Sequence, residues 1–386
     1  MRIAMVDYVC DPKKPGEIGL SDVVWNLASN FASLGDDIHI VAPYQTSKFP
    51  DDKITVHRFD LPPIGYRNII GHALIVLRAV SVLKKIRNID LIFLPEYFSS
   101  AIIGLLIKNI PIVVMVPGNI YERIAHGNPY DWITTQAFKL AAKITIRHAY
   151  IIAISQDMRK WWEYTGADPS KIKVIPNGTD LKFFKHQSDA RRYLKIPKDI
   201  TLVLYAGRLS NEKGLKDLFE AIANLKKEIK NLQLYIVGSG PQEKELKKFA
   251  DELGIKRIVI FKGWIPKEEM PYYYSAADVF VLPSYSEGMP RVMIEAMACK
   301  TVFIGTTISG VIDHITDMKN GMMVKPGKIE DLASKMYLVL TDHELKDRIA
   351  SNGYEYVCKN LSWGEVSKKI KSDVFIRITS NRERYL

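Results

Sequence analysis

Short apolar runs typical of buried strands alternate with helical patterns along the whole chain. This alternation restricts the possible folds more than any other feature of the sequence does. In the first half, strands are predicted at 2–9, 37–42, 90–94, 111–116 and 150–154, and helices at 20–34, 69–87 and 131–147. A second series of strands begins at 201 and continues at 233–237, 257–261, 279–283 and 301–305. Alternation of this kind predicts parallel α/β layers.

The length of 386 residues predicts two such domains, because a domain usually spans roughly 100–200 residues. The segment 180–200 is polar and charged, contains Pro197 and has little periodicity, so the boundary belongs there. We predict domains at 1–183 and 184–362, followed by a helical segment, 363–386, that returns toward the first domain. Two sheets with facing carboxyl edges would enclose a cleft, the usual ligand site of such sheets.

The composition is that of a globular protein, with 47% hydrophobic and 25% charged residues. Its three cysteines, Cys10, Cys299 and Cys358, are too few and too far apart for a disulfide framework or a paired-cysteine metal site. The sequence shows neither an export signal nor an apolar stretch of membrane-spanning length. These features predict a cytoplasmic protein.

The net charge of +11 favours acidic partners, namely phosphates, nucleic acid or an anionic lipid surface. The basic residues are spread along the chain without an aromatic–basic RNA motif, so we predict no nucleic-acid partner. The apolar helix pattern of 69–87 carries Arg78, Lys84, Lys85 and Arg87. Such a helix either lies on the anionic inner face of the cell membrane or packs in its own domain with a solvated basic end.

The segment from Ser286 to Ala298 places two carboxylates, Glu287 and Glu295, on either side of a loop-to-helix junction. Gly288 permits a tight turn, and Pro290 suits a first helical position, where its missing N–H costs nothing. Backbone amides at the helix start would form a seat for an anion. The pattern is that of either a nucleotide-sugar site or an acidic surface loop before an ordinary amphipathic helix, and the spacing alone does not favour the site.

Two further loops follow strands of the same predicted sheet. One contains Gly207, Arg208 and Lys213, and brings two cations to a helix start, where they either bind phosphate or are solvated. The other begins at Gly238 and either lets a nucleotide approach the backbone or is a plain structural turn. Because the carboxyl ends of parallel strands meet at one edge, the three loops together predict a shared phosphate site.

An ordered series of motifs extends over nearly the whole chain. Its members are Val174–Asp180, Gly207–Leu209 with Lys213-Gly214, Val237–Pro241, Gly263–Ile265, Ala277–Ser284, Glu287–Ala298, Asn320–Val324 and Trp363. The series resembles the glycosyltransferases of family 4 with their E-x7-E motif. The resemblance implies the GT-B fold, in which two Rossmann-like domains face each other across a cleft.

The resemblance also implies a role for each matching residue. Glu287 would contact the hydroxyls of the transferred sugar, and Glu295 would hold the nucleotide ribose. Arg208 and Lys213 would bind the diphosphate and stabilise it as it leaves. The remaining donor-binding positions are Gly207, Gly238, Gly288, the backbone of Met289, Pro290, Arg291 and Val292, the base-lining Ile265, and Gly19 near the phosphates and acceptor.

The chain departs from the family pattern in two places. Ile18 stands where the first of two loop glycines is usual, although Gly16 is nearby. After the strand at 111–116, Pro117-Gly118-Asn119 stands where the family usually has a histidine. Proline cannot shuttle a proton. His126 either takes over that task or is a surface histidine.

The function implied by the resemblance is retaining hexosyl transfer from a UDP- or GDP-sugar to a hydroxyl group in polysaccharide or glycolipid synthesis. The acceptor would be a glycan, a lipid or a small molecule, and no essential metal is expected. The alternatives are a sugar phosphorylase or nucleotide-sugar epimerase on the same fold, and a catalytically silent binding protein.

Overall fold

The computed structural model describes residues 1–7, 18–42, 53–60, 69–95, 97–116 and 129–380. The chain forms two compact units, one comprising Met1–Asn177 with Trp363–Leu386 and the other Gly178–Ser362. The chain thus leaves the first unit after Asn177, earlier than the predicted boundary at 183/184. The reason is local pairing within the second unit, where the Thr179 N–H donates to the Leu361 carbonyl at 2.8 Å.

The first unit is built on a parallel sheet. Its described strands are β1 (Arg2–Val6), β2 (Asp37–Ala42), β3 (Ile54–Arg58), β4 (Leu91–Leu94), β5 (Ile112–Val116), β6 (Ala149–Ala153) and β7 (Ile172–Val174). They lie in the order β3-β2-β1-β4-β5-β6-β7, with Ile3 of β1 aligned to Leu91 of β4. The central strands are almost wholly buried, as expected for a parallel sheet covered on both faces.

Helices cover both faces of this sheet. The described ones are α1 (Ile18–Ser33), α2 (Ile69–Leu83), α3 (Tyr97–Leu106), α4 (Pro129–His148) and α5 (Gln156–Tyr164). Side chains of α2 to α5 form one apolar cluster with Ile92 and Leu94 of β4. Phe93 points to the opposite face, where its ring meets Phe31 of α1. The 69–87 segment therefore packs in its own domain, and its contact with a membrane surface stays a prediction.

The second unit contains another parallel sheet. Its strands are β8 (Thr201–Ala206), β9 (Leu232–Val237), β10 (Val259–Gly263), β11 (Val279–Leu282), β12 (Val302–Thr306) and β13 (Met322–Val324). The order is β10-β9-β8-β11-β12-β13. Its helices are α6 (Ala190–Tyr193), α7 (Leu215–Leu225), α8 (Glu243–Glu252), α9 (Met270–Ala276), α10 (Arg291–Ala298), α11 (Ile329–Thr341) and α12 (His343–Asn360).

After α12 the chain rejoins the first unit through α13 (Trp363–Ile370), a π-helical turn (Lys371–Phe375) and α14 (Ile376–Ser380). The Phe375 ring lies 5.0 Å from that of Phe31. The Lys371 ammonium lies 2.8 Å from the buried Asp36 carboxylate. An aromatic contact and an ion pair thus attach the C-terminal segment to α1 and the turn that follows it.

The predicted parallel α/β class is confirmed, and three strands were missed. β3, β7 and β13 each lie at the edge of a sheet. An edge strand is covered on fewer sides than a central one, so it needs no continuous apolar run. In β3 only Ile54 is fully buried, and in β7 only Ile172. β13 is only three residues long.

Candidate active site

The strand order of the second unit reverses between β8 and β11. β9 and β10 continue from β8 to one side, whereas β11 begins the other side. Loops that leave neighbouring strands in opposite directions open a crevice at the carboxyl ends, where α/β proteins bind their ligands. The loops after β8 and β11 contain the predicted catalytic residues, and the loop after β9 adjoins them.

An ion pair crosses this crevice. The Nζ of Lys213, after β8, lies 2.7 Å from Oε1 of Glu287, after β11. Ser284 donates a hydrogen bond from Oγ to the same carboxylate oxygen at 2.8 Å. The Lys213 side chain is 17% exposed and the Glu287 side chain 14%, so water screens their attraction only partly. Two of the predicted catalytic residues therefore meet at the crevice.

The turn carrying Lys213 is held in place by glycine. A short 3₁₀ turn, Asn211–Lys213, ends at Gly214 in the left-handed conformation, with φ at 63°. A Cβ at Gly214 would lie 2.1 Å from the Pro283 carbonyl oxygen, closer than any side chain tolerates. Only glycine lets the loop after β8 come this close to the end of β11.

Residues of the same turn also determine the pKa of the Glu212 carboxyl group. Burial acts to raise the pKa of its carboxyl group. The hydrogen bond from Ser210 and the charges of Lys213 and Arg208 outweigh burial and hold that pKa below its ordinary value. Arg208 is exposed and has no ion-pair partner among the residues that the structure describes. Its guanidinium group is therefore available to an incoming anion.

The glycines at 207 and 238 bring two loops into backbone contact. The Gly207 N–H donates to the Val237 carbonyl at 3.0 Å. A Cβ at Gly238, whose φ is 122°, would lie 2.0 Å from the Gly207 carbonyl oxygen. These contacts give both glycines a structural role next to Arg208, and a donor-binding role for their backbone stays a prediction.

The loop after β11 leads into α10. Pro290 is the N-cap residue and the helix begins at Arg291, so the prediction that Pro290 occupies the first helical position was wrong by one residue. Among the described residues, no side chain caps this helix. Met289 is buried and Val292 half-buried. The carbonyl of Gly288 lies against Gly310, where an added Cβ would be 2.2 Å from its oxygen.

Glu295 lies in α10 and has its own partners. Tyr274 of α9 donates a hydrogen bond to Oε2 at 2.9 Å, and Nη2 of Arg291 lies 3.9 Å from Oε1. Burial, together with the Glu295 charge, raises the pKa of the Tyr274 hydroxyl well above its ordinary value, so Tyr274 remains a donor. Glu287 and Glu295 are thus held by different residues, and their separate roles stay predictions.

Two predicted donor-binding residues, Ile265 and Gly19, belong to neither of the loops that carry Lys213 and Glu287. Ile265 is half-buried just after β10, beside Trp264, which is 54% exposed. The Gly238 N–H donates to the Gly263 carbonyl at 2.7 Å, which ties this segment to the loop after β9. Gly19 is in the other unit, in the first turn of α1, where backbone N–H groups have no intrahelical partner.

Some predictions lie outside the described residues, namely those on Gly16, Pro117, Gly118, Asn119 and His126. The part of the chain that is described contains no group of three His, Cys, Asp or Glu side chains that could hold a metal ion. The expectation that no metal is essential stays a prediction.

Sequence reasoning missed the residues that hold the two glutamates. Ser284 was part of a recognised motif, but nothing in the sequence showed that its hydroxyl reaches Glu287. Tyr274 is one of three consecutive tyrosines in α9, and only the fold selects it as the partner of Glu295.

Comparison with domain families now identifies the chain. The family described as glycosyltransferase family 4 matches residues 19–183, and that described as glycosyl transferases group 1 matches residues 186–356. The chain belongs to these glycosyltransferases. The second match contains the whole crevice formed by the loops after β8, β9 and β11.

Relatives of this glycosyltransferase include proteins of archaea and bacteria. It is 24% identical to an uncharacterized glycosyltransferase of Methanocaldococcus jannaschii, over 96% of each chain. It is 25% identical to the D-inositol 3-phosphate glycosyltransferase of Corynebacterium glutamicum, over 72% of this chain and 70% of that protein.

Solved structures show that this glycosyltransferase has the GT-B fold. The sucrose-phosphate synthase of Thermosynechococcus elongatus superimposes with a TM-score of 0.78 at 23% identity, over 98% of this chain and 99% of that one. The Anabaena protein HepE, solved in complex with UDP, gives a TM-score of 0.77 at 21% identity, over 97% and 99% of the two chains.

Among the described residues, no helix is both long enough and apolar enough to cross a membrane.

Proposed function

We propose that this glycosyltransferase moves a sugar from a nucleoside-diphosphate sugar to a hydroxyl group of an acceptor, with retention of the anomeric configuration. The observation that carries the proposal is the ion pair between Lys213 and Glu287 at the strand-order reversal of the second unit. It joins a cation to a hydrogen-bond acceptor in the loop that leads into α10.

The charges at the crevice suit a diphosphate. Lys213 supplies a compact ammonium group, and the exposed Arg208 supplies a guanidinium group that can bind two phosphate oxygens at once. The start of α10 adds backbone N–H groups and the positive end of the helix dipole. A bound diphosphate would replace Glu287 as the partner of Lys213 and release that carboxylate toward the sugar hydroxyls.

The transfer itself needs charge stabilisation more than a protein base. The bond between the anomeric carbon and the diphosphate oxygen breaks, and the acceptor oxygen forms a bond to the same carbon from the same face. The departing diphosphate oxygen takes the proton of the acceptor hydroxyl. Arg208 and Lys213 stabilise the negative charge on the leaving group, a type of contribution that is often the largest in catalysis.

Glu287 and Glu295 have different hydrogen-bond partners, which supports our proposal that they have different roles. Glu287, beside Lys213, would accept hydrogen bonds from the sugar. Glu295 lies farther into α10 and is oriented by Tyr274, so it would accept hydrogen bonds from the ribose. The Anabaena protein HepE has been solved with UDP and with UDP-glucose, which supports a uridine nucleotide as the first donor to test on this chain. We propose that no metal ion is essential.

A donor screen followed by product analysis tests this function. UDP-, GDP- and ADP-sugars are compared by the shift that each causes in the melting temperature, because a ligand that binds only the folded state raises apparent stability. The preferred donor is then incubated with glycan, lipid and small hydroxyl acceptors. NMR of the product is expected to show the donor's anomeric configuration.

Each alternative function gives a different result in that experiment. A phosphorylase would require inorganic phosphate, and an epimerase would change the sugar without an acceptor. A silent binding protein would show a thermal shift with no release of nucleoside diphosphate. An inverted product would contradict retention while leaving the donor assignment intact.

A further inference from the structure

Tyr205 brings a hydroxyl group in among the apolar residues at the end of β8. It stands between Leu204 and Ala206, and its side chain is fully buried. A buried hydroxyl group needs a hydrogen-bond partner, because leaving it unpaired costs free energy. Tyr205 donates its hydrogen bond from Oη to the carbonyl oxygen of Arg208 at 2.9 Å. The core of the second unit is therefore bonded directly to the backbone of an exposed arginine.

Gly207 leaves the space that this hydrogen bond needs. A Cβ at position 207 would lie 2.9 Å from Oη of Tyr205 and 3.3 Å from Cζ of the same ring. Both distances are shorter than ordinary van der Waals contacts between heavy atoms. A side chain at position 207 would therefore push the Tyr205 ring away from the Arg208 carbonyl.

The peptide group that joins Arg208 to Leu209 is held at both of its ends. Its carbonyl accepts the hydrogen bond from Tyr205, and its N–H, which belongs to Leu209, donates to the Ser239 carbonyl at 3.1 Å. The Leu209 carbonyl in turn accepts a hydrogen bond from the N–H of Gln242 at 3.1 Å. Because a peptide group is planar and rigid, bonds at both ends fix its orientation. They also fix the direction in which the Arg208 side chain leaves the backbone.

The charges of the site act on the Tyr205 hydroxyl as well. Burial raises the pKa of this hydroxyl well above its ordinary value, and the negative charges of Glu287 and Glu212 raise it further. The hydroxyl group therefore stays protonated near neutral pH, and it remains a hydrogen-bond donor there. The influence of Glu287 also shows that the hydroxyl lies near the ion pair of that carboxylate with Lys213.

Packing alone does not explain a tyrosine at this position. Phenylalanine would fill nearly the same volume of the core, and it would bring no hydroxyl group that has to be satisfied. We propose that Tyr205 is a positioning residue, whose hydrogen bond directs the Arg208 guanidinium group toward the diphosphate of the donor. This inference rests on the proposed function, which assigns the diphosphate to Arg208 and Lys213. A cation that is already held in place loses less conformational freedom when it binds phosphate.

A double-mutant cycle measures whether Tyr205 acts through Arg208. The wild type, Tyr205→Phe, Arg208→Ala and the double variant are titrated calorimetrically with UDP, GDP and ADP, and the nucleotide that the wild type binds most tightly is used for the comparison. Tyr205→Phe is expected to weaken its binding about fivefold, the usual effect of one lost hydrogen bond. In the Arg208→Ala background, the same substitution is expected to change the affinity by less than about twofold.

Turnover of the sugar donor provides a second measurement. Tyr205→Phe is expected to lower kcat about tenfold, because a displaced cation stabilises the charge on the leaving diphosphate less well. It is expected to leave the kcat of Arg208→Ala unchanged. The matched control is Tyr356→Phe in the same unit, which removes a hydroxyl group 3.0 Å from Nδ1 of His314. This control is expected to bind and turn over the donor as the wild type does, and melting temperatures establish that each variant is folded.

Four results would overturn the inference. Wild-type affinity and kcat in Tyr205→Phe, with both reduced in Arg208→Ala, would show that the hydroxyl group only satisfies the core and would leave the proposed function intact. Equal losses from Tyr205→Phe in both backgrounds would show that it does not act through Arg208. Wild-type affinity and kcat in Arg208→Ala, or no binding of any of the three nucleotides to the wild type, would contradict the proposed phosphate site together with this inference.

Discussion

At the scale of single residues, the site depends on contacts between positions far apart in the chain. Lys213 and Glu287 are separated by 74 positions, and Tyr274 and Glu295 by 21. Ser284 is buried, and its carbonyl accepts a hydrogen bond from Thr306, which fixes the backbone of the residue that orients Glu287. Each glutamate thus accepts a hydrogen bond from a neighbouring hydroxyl group.

Removing either cation of the phosphate site is expected to slow transfer. Lys213→Ala and Arg208→Ala should each lower kcat by about 10²–10³-fold, the usual effect of losing one donor to a developing charge. The matched control is Lys216→Ala, since Lys216 is exposed on the neighbouring turn and pairs with Glu245. Steady-state kinetics on folded variants measure the effect. Activity within threefold of wild type in both site variants would exclude this role.

The two glutamates are expected to differ when the free nucleoside diphosphate is titrated calorimetrically. Glu295→Ala should weaken its binding by about 1.5–3 kcal/mol, because a charged hydrogen bond to the ribose is lost. Glu287→Ala should leave that affinity nearly unchanged and impair turnover of the sugar donor. Glu228→Ala, an exposed acid in the same unit, controls for net charge. Equal losses at the two site positions would contradict the division of roles.

At the scale of elements, glycines determine how closely the loops of the second unit approach one another. Gly214 faces the end of β11, Gly238 faces the loop after β8, and Gly310 faces the loop before α10. At each position an added Cβ would lie within about 2.2 Å of a backbone carbonyl oxygen. Backbone cannot move aside as a flexible side chain can, so these contacts set the width of the crevice.

Substitution at Gly310 is expected to displace the loop that leads into α10. Gly310 has φ at 74°, and a Cβ would overlap the Gly288 carbonyl. Gly327 has φ at 75°, and its Cβ would meet nothing closer than the Tyr285 hydroxyl at 3.9 Å. Both Ala variants carry the strain of a left-handed residue, about 1–2 kcal/mol. Only Gly310→Ala should also weaken donor binding, measured by titration. Equal donor affinity in the two variants would show that this contact does not shape the site.

At the scale of the whole molecule, a pair of histidines makes the stability of the first unit dependent on pH. Nδ1 of His39 and Nε2 of His57 are 2.8 Å apart on the neighbouring strands β2 and β3. Burial, and then the charge of His39, lower the pKa of His57 below its ordinary value of about 6.5. The folded state therefore prefers the neutral imidazole.

Acidification is expected to destabilise the first unit through His57. Its contribution is fully present above about pH 6.5 and is lost as pH falls through the lower pKa of the folded state, because the unfolded chain binds the proton more readily. In His57→Gln, the fall in denaturation midpoint between about pH 7.5 and pH 5.5 should be smaller than in wild type. Urea unfolding at both pH values measures this. Parallel curves for the two proteins would exclude a contribution from His57.

The sequence by itself determined the two α/β domains, most central strands and the site residues that resemble a known motif. These features follow from local patterns, since buried parallel strands need apolar runs and tight loop-to-helix turns need glycine at set positions. The family matches confirm the family, and the parallel sheets confirm the α/β class. The domain boundary and the roles of the site residues stay predictions.

Only the tertiary structure decided which side chains meet. The edge strands β3, β7 and β13 form because a neighbouring strand offers hydrogen bonds, whatever their own apolar content. The contacts of Lys213 and Ser284 with Glu287, and of Tyr274 with Glu295, depend on the order of strands in the sheet.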